Sequence, residues 1–290
     1  MANGGIIGPV QTTTVNSVND RISTFTSSGT FTAQATGNAD YLVVAGAGAG
    51  GANGGPSNSG GGGAGAGGYR ASGFGPSPLR GSAIAVNRAT EYTITIGAGG
   101  SGTCSRHGPS GNNSSGLGIT AGAGGGGGGD GSSAGKNGGS GGGAAGSPEG
   151  GSSYAGGSGN TPPTDPSQGN AGGSTSGGSG TQGSGGGGAG GAGGAAPGAN
   201  TAGAGVPNTI TGSNVTYATG GAGSPTSTNT GSNGAANRGI GGNGSKAAAG
   251  GNGGSGVVVI KESATTFVTA PGVWSINDVY DNVKAGTWSN

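Results

Sequence analysis

The chain has 290 residues, 84 of them glycine, with 28% hydrophobic, 4% aromatic and 7% charged residues and a formal net charge of +1. Glycine at about four times its ordinary share of roughly 7% excludes a conventional domain built on side-chain burial. Sparse charge of mixed sign excludes a basic footprint for nucleic acid and the strongly charged class of disordered chain.

The opening residues, Met1 to Pro9, carry neither a basic cluster nor a long apolar run, so they do not read as a secretory signal. No run anywhere approaches the length of a membrane span, and membrane insertion is not expected. After a polar lead containing Val10, Val15 and Val18, residues 22–33 read as two short strands around a Ser27-Ser28-Gly29 turn. Residues 41–45 form a third strand.

A glycine tract then runs from Ala45 to Gly256. Each glycine costs ~0.5 to 1 kcal/mol relative to alanine, and backbone hydrogen bonds, worth about 1 kcal/mol net each, are the only interaction plentiful enough to offset that. The runs 124–129 and 185–188 break the strict Gly-X-Y period of collagen. What remains is the left-handed, three-per-turn extended helix of polyglycine II, packed side by side with glycine at the contacts. At about 3.1 Å per residue the tract must reverse many times. Pro56-Ser57-Asn58-Ser59, residues 161–166 and Ser224-Pro225-Thr226 mark reversals.

Within the tract, residues 82–86 and 91–96 predict a hairpin, because Tyr92, Ile94 and Ile96 alternate with Thr93 and Thr95 at the strand period of two. A second hairpin is predicted over 209–217, turning at Gly212-Ser213. Residues 257–260 are a continuous apolar run, which argues for a strand covered on both faces and paired with residues 41–44. That pairing closes the domain.

The C-terminus carries the signs of a helix. Ser275 caps it, Asp278 lies three residues on, Trp274 and Val279 form a hydrophobic staple, and Gly286 ends it. Ile276, Val279, Tyr280 and Val283 share one face. This helix either folds back on its own domain or docks to another protein. In the second case Trp274, Ile276, Val279, Tyr280, Val283 and Trp288 are the partner-binding residues, since Trp and Tyr are frequent interface anchors. The expected fold class is therefore mostly β and irregular, with packed polyglycine II helices closed by short β-strands and one short C-terminal α-helix. Its parts are a lead (1–21), the glycine-rich domain (22–262) and a C-terminal strand and helix docking segment (263–290).

Catalytic motifs do not survive inspection. Gly46-Ala-Gly48-Ala-Gly50-Gly51 satisfies GxGxxG after a strand, but no helix can follow and no acid lies between Asp40 and Glu91 for a ribose hydroxyl. Gly135-Lys136-Asn137 lacks the Ser/Thr and upstream glycine of a phosphate loop. The run Gly125 to Asp130 fits one calcium-repeat unit without tandem copies. Cys104 and His107 form a lone C-x-x-H, for which two exposed loop residues are the favoured reading over a metal site. Asn112, Asn113, Asn214 and Asn243 fit the glycosylation pattern, which Asn/Ser-rich loops often produce by accident. No enzyme, cofactor or metal is expected.

The ordered set Ser23-Thr-Phe-Thr-Ser-Ser-Gly-Thr-Phe-Thr32, Asp40-Tyr-Leu-Val-Val-Ala-Gly46, Gly67-Gly-Tyr-Arg70, Tyr92-Thr-Ile-Thr-Ile-Gly-Ala-Gly-Gly100, Asn113-Ser-Ser-Gly-Leu-Gly-Ile-Thr-Ala121, Val215-Thr-Tyr-Ala218 and Gly254-Ser-Gly-Val-Val-Val-Ile260 resembles the glycine-rich domain of bacteriophage tail-fibre and adhesin proteins, over residues 22–262. The resemblance implies a sandwich of polyglycine II helices whose variable loops at one end touch the host receptor. The lead Gly4-Gly-Ile-Ile-Gly-Pro9 and the tail Gly272-Val-Trp-Ser-Ile-Asn-Asp-Val-Tyr280 are similar to termini of marine phage structural proteins. No segment resembles the family's protease-type or chaperone part. The implied function is a noncatalytic virion structural protein, a tail-fibre or adhesin-type appendage contacting the host surface. The alternative is a capsid decoration or filament-forming subunit without receptor binding. An ice-binding array, a third class, needs more regular Thr or Ala spacing. Implied partners are other virion proteins or further copies, and a host cell-surface receptor or glycan. The implied location is the virion, made in the host cytoplasm and extracellular after lysis.

Overall fold

The computed structural model describes residues 15–17, 20–53, 59–104, 107–129, 133–147, 151–177, 182–225, 230–263, 266–268 and 276–286. In chain order its strands are β1 (Val15–Ser17), β2 (Arg21–Phe25), β3 (Gly29–Thr32), β4 (Gly37–Val44), β5 (Tyr69–Ser72), β6 (Arg80–Gly81), β7 (Ile84–Val86), β8 (Glu91–Ile94), β9 (Ser114–Gly116), β10 (Ile119–Ala121), β11 (Val206–Asn208), β12 (Val215–Tyr217), β13 (Val257–Glu262) and β14 (Thr266–Val268); helix α1 (Ile276–Ala285) follows. Strands and irregular segments dominate, as the composition requires, and α1 is the one helix among the described residues.

The largest sheet has the order β2-β13-β4-β5-β6, with β7 paired to the first half of β4. The expected pairing of 257–260 with 41–44 is present, antiparallel, with Val257 opposite Val44 and Ile260 opposite Tyr41. Because alternate strand residues point to opposite faces, an all-apolar run fits only a strand covered on both. Val258 and Ile260 join Tyr41, Val43, Phe31, Val86, Ile94 and Leu117 in one cluster. Val257 and Val259 join Leu42, Val44, Tyr69, Val206, Ile210 and Tyr217 in the other.

Tyr69 shows how tightly the second cluster is closed. Its ring is buried, and its hydroxyl accepts a 2.7 Å hydrogen bond from Asn208 Nδ2. Burial pushes the phenol pKa up to about 12, against the pull of the Asn208 bond. Burial also raises Tyr41 and Tyr217. A raised folded-state pKa favours the neutral phenol, so its contribution is fully present below the ordinary value of about 10 and is lost as pH rises through about 12. For Tyr69 alone the loss amounts to about 3 kcal/mol. Urea midpoints measured across alkaline pH should fall over that window. Tyr69→Phe should flatten part of the fall while costing about 1 kcal/mol at neutral pH for the unpaired Asn208; an unchanged alkaline slope in the variant would contradict this assignment.

Two expected pairings differ in the structure. Residues 82–86 and 91–96 do not form a hairpin: β7 pairs with β4 and β8 pairs with β3. Their connection is pinned elsewhere, with Ala89 N donating to Ala33 O and Ala33 N to Thr90 O. The two strands thus separate into facing sheets and cover Val86 and Ile94 from both sides. Similarly, β2 and β3 flank the expected turn but join β13 and β8 respectively, with the Phe25 and Phe31 rings edge to face at 6.4 Å. The second expected hairpin is present with its first strand displaced: β11 pairs β12, residue 210 lies in the connection, and Gly212 at φ 85 makes the turn. Ile210 points back into the core. A third hairpin, β9 with β10, turns through Leu117 and Gly118, both at positive φ.

Between strands the chain is a polyglycine II lattice. Ala45, Gly48 and Gly51 donate to the carbonyls of Gly68, Gly65 and Gly62; Gly46 and Ala49 to Asn112 and Pro109; Ala47 and Gly50 to Gly254 and Gly251. Residues 61–68 repeat the pattern, with Gly61, Ala64 and Gly67 donating to Ser245, Gly242 and Gly239, and Gly62, Gly65 and Gly68 to Gly128, Gly125 and Gly122. Gly63 and Ala66 donate to Ser184 and Gly187. A hydrogen-bond period of three is the repeat of the left-handed extended helix, which has no internal hydrogen bonds of its own. Segment 61–68 also accepts from Gly48, Ser140 and Gly221, so other segments enclose it on all sides. Glycine is required at such contacts: a Cβ on Gly65 would lie 2.6 Å from the carbonyl carbon of Ser140.

The segments give the domain two unlike ends. Gly61 N donates to Ser245 O, Ser245 N to Gly51 O, Ser224 N to Gly61 O, Gly183 N to Ser224 O and Gly146 N to Gly60 O, which gathers these residues at one end, strand-free among the described residues. At the opposite end Ala45 N donates to Gly68 O, Gly68 N to Gly122 O and Gly256 N to Gly97 O, where the segments pass into β4, β5, β10 and β13. Ser59, Ser224 and Pro225 of the expected reversals lie at the strand-free end, whereas residues 56–58 and 226 lie outside the described residues. The 161–166 reversal sits at the strand end. There Gln168 Oε1 accepts from Gly122 N, and its Nε2 donates to Pro162 O, both at 2.7 Å.

The chain enters and leaves through one two-stranded ribbon. Arg21 lies opposite Glu262, and four residues further out Ser17 of β1 lies opposite Thr266 of β14, in the same register. The two ladders are separate sheets among the described residues but share one register, with residues 18–19 and 264–265 between them outside the described residues. Arg21 Nη1 meets Glu262 Oε2 at 3.1 Å and Lys261 Nζ meets Asp20 Oδ2 at 2.8 Å, fixing the ribbon at its root. Glu262 is buried, and its other oxygen accepts from Gln34 N at 2.7 Å.

Candidate functional site

Two regions offer surface to another molecule: the C-terminal helix beyond the ribbon, and the strand-free end of the lattice. Helix α1 spans Ile276–Ala285, within the expected range. Of the residues predicted to bind a partner, Ile276 and Val279 lie on α1, while Trp274 and Trp288 lie outside the described residues. Tyr280 is 63% exposed and Val283 54%. Three positions apart, they fall on the same side of the helix. Lys284 Nζ lies 5.8 Å from the Tyr280 ring centroid, a distance at which a cation still feels the ring face.

Among the described residues, the helix touches its own domain at its C-terminal end. Gly286, with φ 71, terminates α1 in the left-handed conformation that a C-terminal cap requires. It is buried, and a Cβ there would lie 3.0 Å from Arg88 Cδ, in the connection between β7 and β8. This contact places an arginine at the helix C-terminus, where the macrodipole favours positive charge. Nothing in the local sequence around Arg88 points to it.

Along the lattice the backbone itself has little left to offer a ligand. The amides of Gly46, Gly48, Gly50 and Gly51 donate to Asn112, Gly65, Gly251 and Gly62. A phosphate cradle needs such amides free and convergent, so the GxGxxG stretch is a lattice strand. The Lys136 amide is likewise committed, to Gly126 O. Cys104 is exposed, and among the described residues no three of His, Cys, Asp and Glu gather. Of the glycosylation patterns, Asn113 and Asn243 have their Oδ1 atoms engaged by Ala123 N and Ala222 N, while Asn112 and Asn214 are exposed. Among the described residues no helix is long and apolar enough to cross a membrane.

A search of the curated proteins found no match. A family model described as a glycine-rich domain matches residues 25–262. That span runs from the last residue of β2 to the last residue of β13, and so takes in the polyglycine II lattice together with the strands that close it. The chain belongs to this glycine-rich domain family.

Proposed function

We propose that the chain is a noncatalytic bacteriophage virion protein, a tail-fibre or adhesin-type appendage whose strand-free end meets the host surface. Its C-terminal segment, through Trp274, Ile276, Val279, Tyr280, Val283 and Trp288, holds it to another virion protein or another copy. The observation that carries this reading is the polarity of the domain. The chain enters and leaves at the ribbon root, where Arg21 faces Glu262. Gly51, Gly61, Gly146, Gly183, Ser224 and Ser245 are gathered at the other end. A rigid scaffold tethered at one end commonly carries recognition on loops at the other. With the lattice amides engaged, a host receptor or glycan is left to the Ser-, Thr- and Asn-rich turns. The resemblance of Gly4 to Pro9 and Gly272 to Tyr280 to termini of marine phage structural proteins supports this reading.

Gold-labelled antibody against the domain should decorate fibre tips of intact particles. Label spread over the capsid shell, or along a filament, would instead favour a decoration or filament subunit. Exchanging the strand-free turns between related chains should change host range while the melting temperature stays within about 3 °C. Host range that ignores the exchange would remove the receptor role.

A further inference from the structure

Asparagine followed by glycine is the dipeptide most prone to deamidation; the chain has six such pairs, and four of them, at Asn137, Asn233, Asn243 and Asn252, lie with both residues inside the described lattice. In three of these pairs the two residues grip a single residue of a neighbouring segment. Asn137 Oδ1 accepts from Ser158 N at 2.8 Å while Gly138 N donates to Ser158 O at 3.1 Å. Asn233 Oδ1 accepts from Asn252 N at 2.8 Å while Gly234 N donates to Asn252 O at 2.8 Å. Asn243 Oδ1 accepts from Ala222 N at 2.9 Å while Gly244 N donates to Ala222 O at 2.9 Å. In the fourth, Asn252 Oδ1 accepts from Gly102 N and Gly253 N donates to Gly100 O, two residues of one segment. A backbone N–H can only meet the carboxamide oxygen, so these bonds fix which way each side chain faces.

We propose that the Asn-Gly pairs are lattice clamps that hold their own deamidation shut, making the folded domain chemically durable at its most labile dipeptides. In deamidation the glycine amide nitrogen loses its proton and attacks the side-chain Cγ. An N–Cγ bond forms, the Cγ–NH2 bond breaks and ammonia leaves; water then opens the succinimide to aspartate or isoaspartate. In the clamp the glycine proton is held by a carbonyl of the next segment, and the carboxamide is turned toward that segment. Ring closure needs both bonds open at once and the side chain folded back on its own main chain. Exposure does not undo this: Asn137, Asn233 and Asn252 have exposed side chains, yet their bonding partners belong to the lattice. The clamp is a property of the fold and does not depend on the virion reading.

The test is peptide mapping by mass spectrometry after incubating the full chain in mildly alkaline buffer, folded and in denaturant. Deamidation at 137, 233, 243 and 252 should be at least about tenfold slower in the folded protein, because two bonds must open together. Thr211→Asn supplies a reporter before Gly212 in an exposed turn, where no neighbouring segment grips both residues. The reporter, whose Gly212 amide is held by Thr209 O within its own turn and by no neighbouring segment, should react several-fold faster than the clamped sites, which stay intact. Clamped sites that deamidate as fast as in denaturant overturn the proposal. So does a reporter as slow as the clamped sites, since general rigidity would then explain the protection.

Discussion

Gly65→Ala should cost the domain most of its stability, although it adds one methyl group to one residue. Gly65 lies in the enclosed segment 61–68, and its added Cβ would overlap the Ser140 carbonyl oxygen and lie 2.7 Å from the Gly141 carbonyl carbon. Neither neighbour is a flexible side-chain tip. To make room, segments 61–68 and 140–146 must move apart, which disturbs Ser140 N to Ala66 O directly and strains Gly65 N to Gly125 O and Gly48 N to Gly65 O. Overpacking at ~1 to 3 kcal/mol together with lost bonds at about 1 kcal/mol each gives a cost above about 4 kcal/mol, enough to unfold many domains. Gly65→Val should be worse, because its branch extends the clash. The matched control is Gly37→Ala in β4, where a Cβ meets nothing within 4 Å. Denaturant curves for the three proteins decide the matter. A Gly65→Ala protein as stable as Gly37→Ala would mean that the segments are not packed at backbone distance.

The contrast between those glycines also marks how far the sequence can be read. That residues 257–260 pair with 41–44 is legible, because two short all-apolar runs in so polar a chain have no other place to bury both faces. The lattice type is legible too, since composition removes side-chain burial and the 124–129 and 185–188 runs remove collagen. Partners within the strands are less so. Alternation of Tyr92, Ile94 and Ile96 specifies a strand and its inward face, not its neighbour, and the Ala33 bonds that send β8 to β3 leave no trace in the local pattern. The β9–β10 hairpin escapes because Ser114-Ser115-Gly116 has no apolar alternation to see. Which segment lies beside which is hidden for a deeper reason: glycine has no side chain with which to encode a partner. The Asn-Gly clamps are an exception in which a side chain does specify a neighbour. At the candidate site the cap, staple and stripe made α1 legible, whereas its resting place on Arg88 depends on tertiary geometry alone.

If the proposed attachment role holds, ending the chain after Ala270 should leave a folded glycine domain that no longer joins the particle. The truncation retains β13 and β14, and with them the ribbon and both apolar clusters. It removes α1, whose Tyr280 and Val283 stand exposed and so lend the domain little burial. Among the described residues the contact with the domain is that of Gly286 with Arg88, and the loss of a few van der Waals contacts at ~0.1 to 0.2 kcal/mol each is minor. The melting temperature should therefore stay within about 3 °C of the full chain. Incorporation should fall by far more. Burying several of Trp274, Ile276, Val279, Tyr280, Val283 and Trp288 against a partner yields ~1.5 to 3 kcal/mol each, and every ~1.4 kcal/mol lost weakens association tenfold. Trp274→Ala should show a milder defect with unchanged stability. Co-purification with assembled particles, read beside a melting curve, separates the outcomes. If the truncated chain unfolds, α1 belongs to the core and Arg88 is the visible edge of a larger packing surface. If it folds and still assembles, attachment lies elsewhere, with Ile6 and Ile7 of the lead the next apolar residues to replace.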